Sequence, residues 1–263
     1  MKKSLYQDES FAAYWNERAG TEGEAYKRYV LDPLMFGLVG DFKNKSVVEL
    51  GCGNGYLAPK FLQEDVNDLV MMDISEHNLR YAAEKCTDPR VSFLEQDATN
   101  PWKLRDEAYD VVYSNMMLNE VEDIKTPIAE AYRVLRSGGA FVFSVTHPAW
   151  DLYMFAQEKA GSQSQKVKGL GGYFKRGYAK FLMGGNSRTN PSLIEKYQGE
   201  PFEVEHFQRP IQDYFDQLIN AGFGVRRMIE PELNEEILQN NPRFADYSDN
   251  PIGLVFYCLK SVN

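Results

Sequence analysis

An acidic residue and three closely spaced glycines form the segment of this sequence best suited to holding a ligand against the backbone. Glu49 stands two residues before Gly51, and Gly53 and Gly55 follow at alternate positions. Glycine adopts positive φ without a steric penalty and allows another group to approach the chain closely. The apolar run 47–50 before the glycines is typical of a buried strand, and a helix should follow the turn. The same pattern is also compatible with a plain turn between a strand and a helix.

A second carboxylate lies where it could bind a nucleoside. Asp73 ends the apolar run 69–73, 22 positions after Gly51. A carboxylate can accept two hydrogen bonds from a vicinal diol, so Asp73 is a candidate for binding the hydroxyls of a ribose. Ser75 is predicted to cap the helix that follows. The alternative is that Asp73 serves only as part of that cap.

A histidine after the fifth predicted strand could act in proton transfer. His147 follows the apolar run 140–145, and ligands of parallel α/β sheets bind beyond the carboxyl ends of the strands. The pKa range of histidine suits a general base, which makes His147 the candidate catalytic residue. It could instead position the substrate or hold the next loop through hydrogen bonds.

The elements that must position these residues alternate between apolar strands and helices, which predicts an α/β fold with a parallel sheet. After residue 210 the pattern predicts one more helix and two strands, separated by an exposed loop at 231–251. We predict that Gly138-Gly139 ends the helix before the fifth strand. The predicted strands are 47–50, 69–73, 91–95, 109–113, 140–145, 223–230 and 252–260, and the predicted helices are 56–64, 76–86, 124–136 and 211–221.

Two segments of different composition adjoin this core, which is predicted at 45–148 and 207–263. Residues 1–44 are rich in aromatic side chains and are expected to form two helices, either as a lid over the ligand or as a pair packed on the edge of the domain. Residues 149–206 carry many glycines and aromatic residues and, from Lys159 to Arg188, seven basic and no acidic residues. This composition predicts a substrate cap; the alternatives are a partner-docking or a membrane-surface patch.

The glycine spacing resembles one nucleotide-binding family and not another. Gly-x-Gly-x-Gly at 51–55, preceded by Glu49, is similar to motif I of the class I S-adenosylmethionine-dependent methyltransferases, whereas dinucleotide-binding proteins carry Gly-x-Gly-x-x-Gly. The segment 133–139 resembles the family's junction between a helix and the fifth strand. The resemblance implies a Rossmann-like sheet of seven mostly parallel strands with the last strand antiparallel. Shorter similarities to the small-molecule branch of the family lie at 14–18, 207–210, 221–223 and 230–231.

The resemblance also implies which residues contact S-adenosylmethionine. Glu49 would lie close to the amino group of its methionine part, and Asp97 would accept a hydrogen bond from the adenine amino group, with Ala98 offering a backbone N–H. Asp97 could instead only open the turn at 99–104. Together, the candidate cofactor-binding residues are Tyr14, Glu49, Gly51, Cys52, Gly53, Asn54, Gly55, Tyr56, Asp73, Ile74, Ser75, Gln96, Asp97, Ala98, Asn115 and Met116.

The resemblance indicates where the methyl acceptor binds but does not identify it. Asn119 or Glu120, after the fourth strand, could face it, and aromatic residues of the insertion could enclose it. An apolar or aromatic metabolite is expected, with any negative group facing Lys175 or Arg176. The candidate substrate-contacting residues are Tyr29, Asn119, His147, Trp150, Tyr153, Tyr173, Phe174 and Tyr178.

The implied activity is methyl transfer from S-adenosylmethionine to oxygen, nitrogen or carbon of a small molecule, with S-adenosylhomocysteine as the product. One alternative is a protein that binds these adenosyl ligands as a sensor or partner and methylates nothing. Another is an NAD(P)-dependent oxidoreductase, which the glycine spacing disfavours.

Composition narrows the setting in which the protein works. The formal net charge of -9 over 263 residues disfavours nucleic acid as a partner. The three cysteines show no metal-ligand spacing, and we predict no metal site. We find neither a signal-peptide pattern nor an apolar run long enough to cross a membrane, so a cytoplasmic monomer or homodimer is expected.

Overall fold

Apolar strands that end in polar residues build the central sheet of the protein. The computed structural model describes residues 4–159, 167–168, 172–183 and 202–262. The strands are β1 (Ser46–Leu50), β2 (Asp68–Asp73), β3 (Val91–Glu95), β4 (Tyr109–Asn115), β5 (Leu135–Thr146), β6 (Val167–Lys168), β7 (Gly177–Met183), β8 (Phe202–Gln208), β9 (Phe223–Ile229) and β10 (Gly253–Lys260). The α-helices are α1 (Glu9–Ala19), α2 (Asp32–Val39), α3 (Ala58–Gln63), α4 (Glu76–Lys85), α5 (Lys125–Val134), α6 (Pro148–Lys159), α7 (Ile211–Ala221) and α8 (Glu235–Asn240).

Seven of these strands form one sheet in the order β3-β2-β1-β4-β5-β10-β9. The pairs among β1 to β5 are parallel, and β10 is antiparallel to both β5 and β9. This confirms the prediction of a Rossmann-like, mostly parallel sheet whose last strand is antiparallel. The order reverses between β1 and β4, and such a switch point leaves a crevice beyond the carboxyl ends of the strands.

The sheet is buried on both faces because an apolar core packs against each of them. Successive residues of the central strands point to opposite faces and so enter different cores. Val48 and Leu50 of β1 belong to the core on one face, with Ile128 of α5 and Leu218 of α7. Val47 belongs to the core on the other face, against helices α2 and α3. This double burial explains why the central strands read as nearly continuous apolar runs.

Two boundaries differ from the sequence prediction near the fifth strand and in the loop at 231–251. Helix α5 ends at Val134, and the glycines Gly138 and Gly139 lie inside β5. There the six residues from Leu135 to Ala140 face only the three residues from Tyr109 to Val111 of β4. The glycines therefore accommodate an irregularity in the strand instead of ending the helix. The predicted exposed loop contains α8 and a 3₁₀ helix, Pro242–Tyr247, in which Phe244 is buried.

The N-terminal residues form two helices, as predicted. Asp8 caps α1 by accepting hydrogen bonds from the backbone N–H groups of Ser10 and Phe11. A π-helical turn, Lys27–Leu31, leads into α2, whose second residue is Pro33. Proline donates no backbone hydrogen bond, so the wider turn before it accommodates the change in the hydrogen-bonding pattern.

Residues of the 149–206 segment contribute to a second, antiparallel sheet with the order β6-β7-β8. Strands β7 and β8 pair from Gly177 with Gln208 to Met183 with Phe202. The predicted boundary between residues 206 and 207 falls inside β8. Among the helices that the structure describes, none has the length and apolar character needed to cross a membrane.

Gly55 provides a test of how the glycine turn is packed against α4. Its φ is +76°, and a Cβ there would lie 2.6 Å from Ala82 Cβ. We expect Gly55→Ala to lower the free energy of unfolding by about 3 kcal/mol, because it combines backbone strain with overpacking. Urea unfolding followed by circular dichroism measures the change.

The matched control is Gly37→Ala. Gly37 lies in α2, and a Cβ there would have no atom within 4 Å. Because alanine favours the helix, this variant should gain about 0.5 to 1 kcal/mol. Equal stability of the two variants would show that the turn does not pack as described.

Candidate functional site

A large cavity lies where the strand order reverses, beyond the ends of β1 and β4. Its volume is about 1540 Å³. Pockets for single small ligands are usually about 300 to 1,000 Å³, so this cavity has room for two molecules side by side. The N-terminal residues, the glycine turn, the ends of β2 to β5, the start of α6 and strand β8 all contribute to its lining.

The glycine turn forms one wall of the cavity through its backbone. Gly51 has a φ of +73°, and a Cβ there would lie 2.4 Å from Met117 Cγ. Gly53 has a φ of +53°, and its N–H donates to Asp73 Oδ2 at 2.8 Å. A side chain at Gly51 is therefore excluded by strain and by space, which explains the glycine there.

Glu49 presents an unsatisfied carboxylate oxygen to this wall. The residue is 2% exposed and lines the cavity, and its Oε2 has no hydrogen-bond partner among the described residues. Burial, and then the negative charge of Asp32, raise the pKa of Glu49, while Lys27 opposes the shift. A buried oxygen without a donor is costly, so the site is suited to a ligand that brings an N–H group. An amino group of S-adenosylmethionine fits this requirement.

Asp73 holds the turn and also faces the cavity. Its Oδ1 accepts from the backbone N–H of Ser75 at 2.9 Å, and its Oδ2 accepts from Gly53. Burial raises the pKa of Asp73, and these backbone hydrogen bonds oppose that shift. Each carboxylate oxygen has two acceptor sites, so capacity remains for the hydroxyls of a ribose. Ile74 also lines the cavity, whereas Ser75 caps α4 outside it.

The residues after β3 form another part of the lining. Asp97 Oδ1 accepts from the backbone N–H of Thr99 at 2.8 Å and from its hydroxyl at 2.7 Å, so the carboxylate does open the following turn. Gln96 Oε1 is buried without a partner in the described part of the chain, and Ala98 is buried beside it. All three of these predicted cofactor-binding residues, Gln96, Asp97 and Ala98, line the cavity.

A buried polar network fixes the end of β4. Asn115 Nδ2 donates to Asp32 Oδ1 at 2.7 Å, and Asn115 Oδ1 accepts from the hydroxyl of Ser144 at 2.7 Å. The Tyr56 hydroxyl also donates to Asp32, at 3.1 Å. Asn115, Tyr56 and the next residue, Met116, line the cavity, and Met116 has a positive φ of 59°. Both polar atoms of the Asn115 side chain are engaged in these hydrogen bonds, so the residue offers the cavity mainly its backbone.

Several residues of this site were not found by sequence reasoning. Asp32 and Lys27 lie on the N-terminal helices, where no motif marks them. Lys27 Nζ donates to the backbone carbonyl of Asn115 at 3.2 Å and lies 5.6 Å from the centre of the Trp15 ring. The one available signal was that a charged residue precedes Pro33 in an otherwise apolar segment.

Three predicted cofactor-binding residues lie outside the lining: Tyr14, Gly55 and Ser75. Tyr14 is buried against Phe11 and Phe202 and is not part of the lining; Trp15, the next residue of α1, lines the cavity instead. Neighbouring helical residues point about 100° apart, so the choice between them could not be made from the sequence. Gly55 also lies outside the lining, and its role is the close approach to α4. Of the other turn residues, Cys52 and Asn54 line the cavity.

His147 is not placed for catalysis. Its Nδ1 accepts from the backbone N–H of Ala149 at 3.0 Å, and its Nε2 lies 2.8 Å from Glu230 Oε1. It is 4% exposed and does not line the cavity. Burial lowers the pKa of His147, although Glu230 opposes the shift. The histidine thus joins the start of α6 to the loop after β9, which corrects its prediction as a general base and substrate contact.

The predicted substrate residues divide into two groups. Asn119, Trp150 and Tyr178 line the cavity. Besides His147, four more lie outside the lining. Tyr29 is 39% exposed with Arg28 over its ring, and Phe174 is 79% exposed. Tyr153 stacks on Trp150, and the Tyr173 hydroxyl accepts a hydrogen bond from the backbone N–H of Ile211. Arg176 pairs with Asp213, and Lys175 is exposed and outside the lining, so neither is available to a negative group of the substrate.

A buried histidine–carboxylate pair lies at the end of the cavity formed by the insertion. His206 Nε2 is 2.8 Å from Asp151 Oδ1, and both residues are 8% exposed or less. Burial lowers the pKa of His206, but Asp151 and then Glu120 raise it, and the net direction is upward. Asp151 and His206 are 55 residues apart, so the sequence contained no signal of their pairing.

No cluster of three or more potential metal-ligating side chains is found in the part of the chain that the structure describes. The lining therefore offers carboxylates, amides, backbone groups and aromatic rings as its means of binding. Such groups are able to bind a nucleoside that carries an amino acid.

Comparisons with known proteins agree with this geometry. Residues 48–143 match the family model of a methyltransferase domain. A crystal structure of an S-adenosylmethionine-dependent methyltransferase from Mesorhizobium loti superposes with a TM-score of 0.66 at 20% identity, covering 91% of this chain and all of the other; at this identity the likeness shows the fold.

Sequence relatives extend the match. An uncharacterized protein of Haemophilus influenzae is 25% identical over 258 residues, 95% of this chain and 94% of its own length. The malonyl-[acyl-carrier protein] O-methyltransferase of Hamiltonella defensa is 33% identical over 107 residues, but the match covers only 41% of this chain and 40% of that enzyme. Residues 48–143 thus form a methyltransferase domain, and the chain has the fold of solved S-adenosylmethionine-dependent methyltransferases.

Proposed function

We propose that the cavity binds S-adenosylmethionine along the strand ends and a small methyl acceptor at the end formed by the insertion. The amino-acid part would meet Glu49, the ribose would meet Asp73, and the adenine would lie against residues 96–98. The unpaired, buried oxygen of Glu49 carries this assignment, because it lacks the donor that an amino group would supply. The volume of about 1540 Å³ supports an acceptor beside the adenosyl ligand.

S-adenosylmethionine supplies a methyl group already activated by the positive charge on its sulfur. The chain therefore has to align the acceptor and keep water away, and such alignment can contribute about 7 to 11 kcal/mol to lowering a barrier. A base is needed only where the acceptor must lose a proton.

The N-terminal helices close one side of the proposed site. Asn54 Nδ2 donates to the backbone carbonyl of Gly20 at 2.9 Å and to Asn16 Oδ1 at 3.1 Å. Lys85 Nζ donates to the carbonyl of Asn54 at 3.2 Å, which joins α4 to the same contact. These hydrogen bonds support the role of residues 1–44 as a cover that excludes water from the site.

The insertion supplies the opposite side. Trp150 and Tyr178 place aromatic surface in the lining, and Tyr6 does so from the N-terminal segment. These walls support a substrate with an apolar or aromatic body. Together with the cavity volume of about 1540 Å³ they favour an enzyme over a sensor, since a site that binds only the adenosyl ligand does not need this additional room.

Glu49→Gln tests the adenosyl site. The variant removes a charge that would bind the amino group, so the affinity for S-adenosylhomocysteine should fall about 10- to 100-fold. The ligand-free protein should remain as stable as the wild type, because the carboxylate oxygen has no donor in that state. Isothermal titration calorimetry and thermal unfolding measure the two quantities.

The control ligand is methylthioadenosine, which lacks the amino-acid part and should bind both proteins equally. Because burial raises the pKa of Glu49, ligand binding should release a proton, and wild-type affinity should increase with pH. An unchanged affinity of Glu49→Gln for S-adenosylhomocysteine would contradict the proposed orientation.

His147→Ala tests the structural role of the histidine. Losing its two buried hydrogen bonds should reduce the free energy of unfolding by about 2 kcal/mol at pH 7.5. Since the pKa of His147 is lowered in the folded protein, the wild type loses stability as pH falls below the unfolded value of about 6.5, and the variant does not. The difference between the two proteins should therefore narrow by pH 5.5 in urea titrations.

Binding of S-adenosylhomocysteine should change by less than about twofold in the same variant, because His147 does not line the cavity. A stability difference that grows as the pH falls, or a large loss of affinity, would restore His147 to the functional site.

A further inference from the structure

The end of the cavity formed by the insertion contains two hydrogen-bond acceptors without donors. Asn119 is 4% exposed, its Nδ2 donates to Glu120 Oε1 at 2.7 Å, and its Oδ1 has no partner among the described residues. Glu120 Oε2 is likewise buried and accepts no well-aligned hydrogen bond there, although the Tyr6 hydroxyl lies close enough to lower the pKa of Glu120. Both residues line the cavity. Two adjacent unpaired acceptors call for a ligand that brings N–H groups.

Negative charge dominates this part of the lining. Glu120, Glu122, Asp123, Glu203 and Glu205 all line the cavity. A negatively charged substrate would be repelled from this surface, and a positively charged one would be attracted.

The nearby basic side chains are occupied by protein partners. Arg209 donates to the backbone carbonyls of Leu118, Val121 and Glu122. Lys180 pairs with Glu203 and Glu205, which reduces their contribution, and Lys27 donates to the Asn115 carbonyl. The charge of His206 is balanced by Asp151. Glu120, Glu122 and Asp123 therefore remain without an ion pair in the described part of this lining, although the charges of His206 and Lys27 act on Glu120 from a distance.

Aromatic rings stand beside these carboxylates. Tyr6, Trp150 and Tyr178 line the same cavity, and Tyr6 interacts electrostatically with Glu120 and Tyr178 with Glu122. An aromatic face attracts an ammonium group by about 0.5 to 2 kcal/mol and also packs against an apolar body. The combination of rings and carboxylates suits an organic cation.

We propose that the methyl acceptor is a small primary or secondary amine with an apolar or aromatic body, bound as an ammonium by Glu120 and Asn119. This proposal rests on the proposed function, since the amine is the acceptor of that reaction. The sequence suggested a substrate with a negative group near Lys175 or Arg176. The proposed substrate instead carries a positive group, which binds next to the Glu120 carboxylate.

The same carboxylate can prepare the amine for reaction. An ammonium nitrogen has no free lone pair, so one N–H bond must break before the nitrogen can attack a methyl group. Glu120 takes the proton, an O–H bond forms, and the nitrogen keeps the electron pair of the broken bond. Burial raises the pKa of Glu120 to about 7, against the opposing effect of His206, which brings it closer to that of an amine and eases the transfer.

The test compares four ligands of one size in protein saturated with S-adenosylhomocysteine: phenethylamine, 2-phenylethanol, 4-ethylphenol and phenylacetate. Calorimetry at pH 7.5 should show phenethylamine binding at least tenfold more tightly than any of the other three. In Glu120→Gln this preference should fall to less than threefold. S-adenosylhomocysteine should bind the variant as it binds the wild type.

Glu84→Gln is the matched control, since it removes the same charge from an exposed position of α4 outside the lining. It should keep the full preference for the amine. Phenylacetate or 4-ethylphenol as the tightest ligand, an amine preference that survives in Glu120→Gln, or no amine binding at all in protein that binds S-adenosylhomocysteine would each overturn the amine assignment alone. Failure to bind S-adenosylhomocysteine would instead overturn the proposed function.

Discussion

The site depends on carboxylates that are held, dehydrated, at the point where the strand order of the sheet reverses. Glu49, Asp32 and Asp73 are each 8% exposed or less, and burial raises the pKa of all three. Grouped negative charge in an apolar setting is unfavourable unless donors surround it. The protein supplies some of these donors from backbone N–H groups, from Asn115 and from Lys60, which pairs with Asp32 at 3.1 Å. Among these three carboxylates, Glu49 keeps one oxygen, Oε2, without a donor. A ligand that brings an N–H group can supply this donor, and this is how the site would recognise it.

Much of the sheet could be predicted because its central strands are mostly apolar runs bounded by polar residues or glycines. Buried parallel strands need apolar side chains on both faces, and this requirement is visible in a single sequence. The strand end predicted Asp73, the glycine turn drew attention to Glu49, and the family resemblance implied Asp97; all three line the cavity. Boundaries were less predictable where a local irregularity mattered. Gly138 and Gly139 resemble a helix end in sequence, yet they lie within β5.

The features of the site that the sequence could not predict are the directions of individual side chains and the contacts between residues far apart in the chain. His147 follows a strand end as predicted, but its ring turns to Ala149 and Glu230 instead of the cavity. Trp15 and Tyr14 differ by one position on α1, and only the packed structure distinguishes the one that lines the cavity. The pair of Asp151 and His206 joins an α-helix to a strand of the second sheet. Pairing across so long a separation is set by the tertiary fold.

One backbone hydrogen bond connects the two halves of the cavity. The N–H of Phe207, in β8, donates to the carbonyl of Asn119 at 2.6 Å. The strand that carries His206 is thereby attached to Asn119, which follows β4 and lines the cavity. Sequence changes that shift β8 will consequently shift Asn119 with it, so the insertion cannot be exchanged between relatives as an independent module. A chimaera that keeps the hydrogen bond from Phe207 N–H to the Asn119 carbonyl would keep Asn119 in its place in the cavity lining. A chimaera that loses this bond would need another contact to hold Asn119 there.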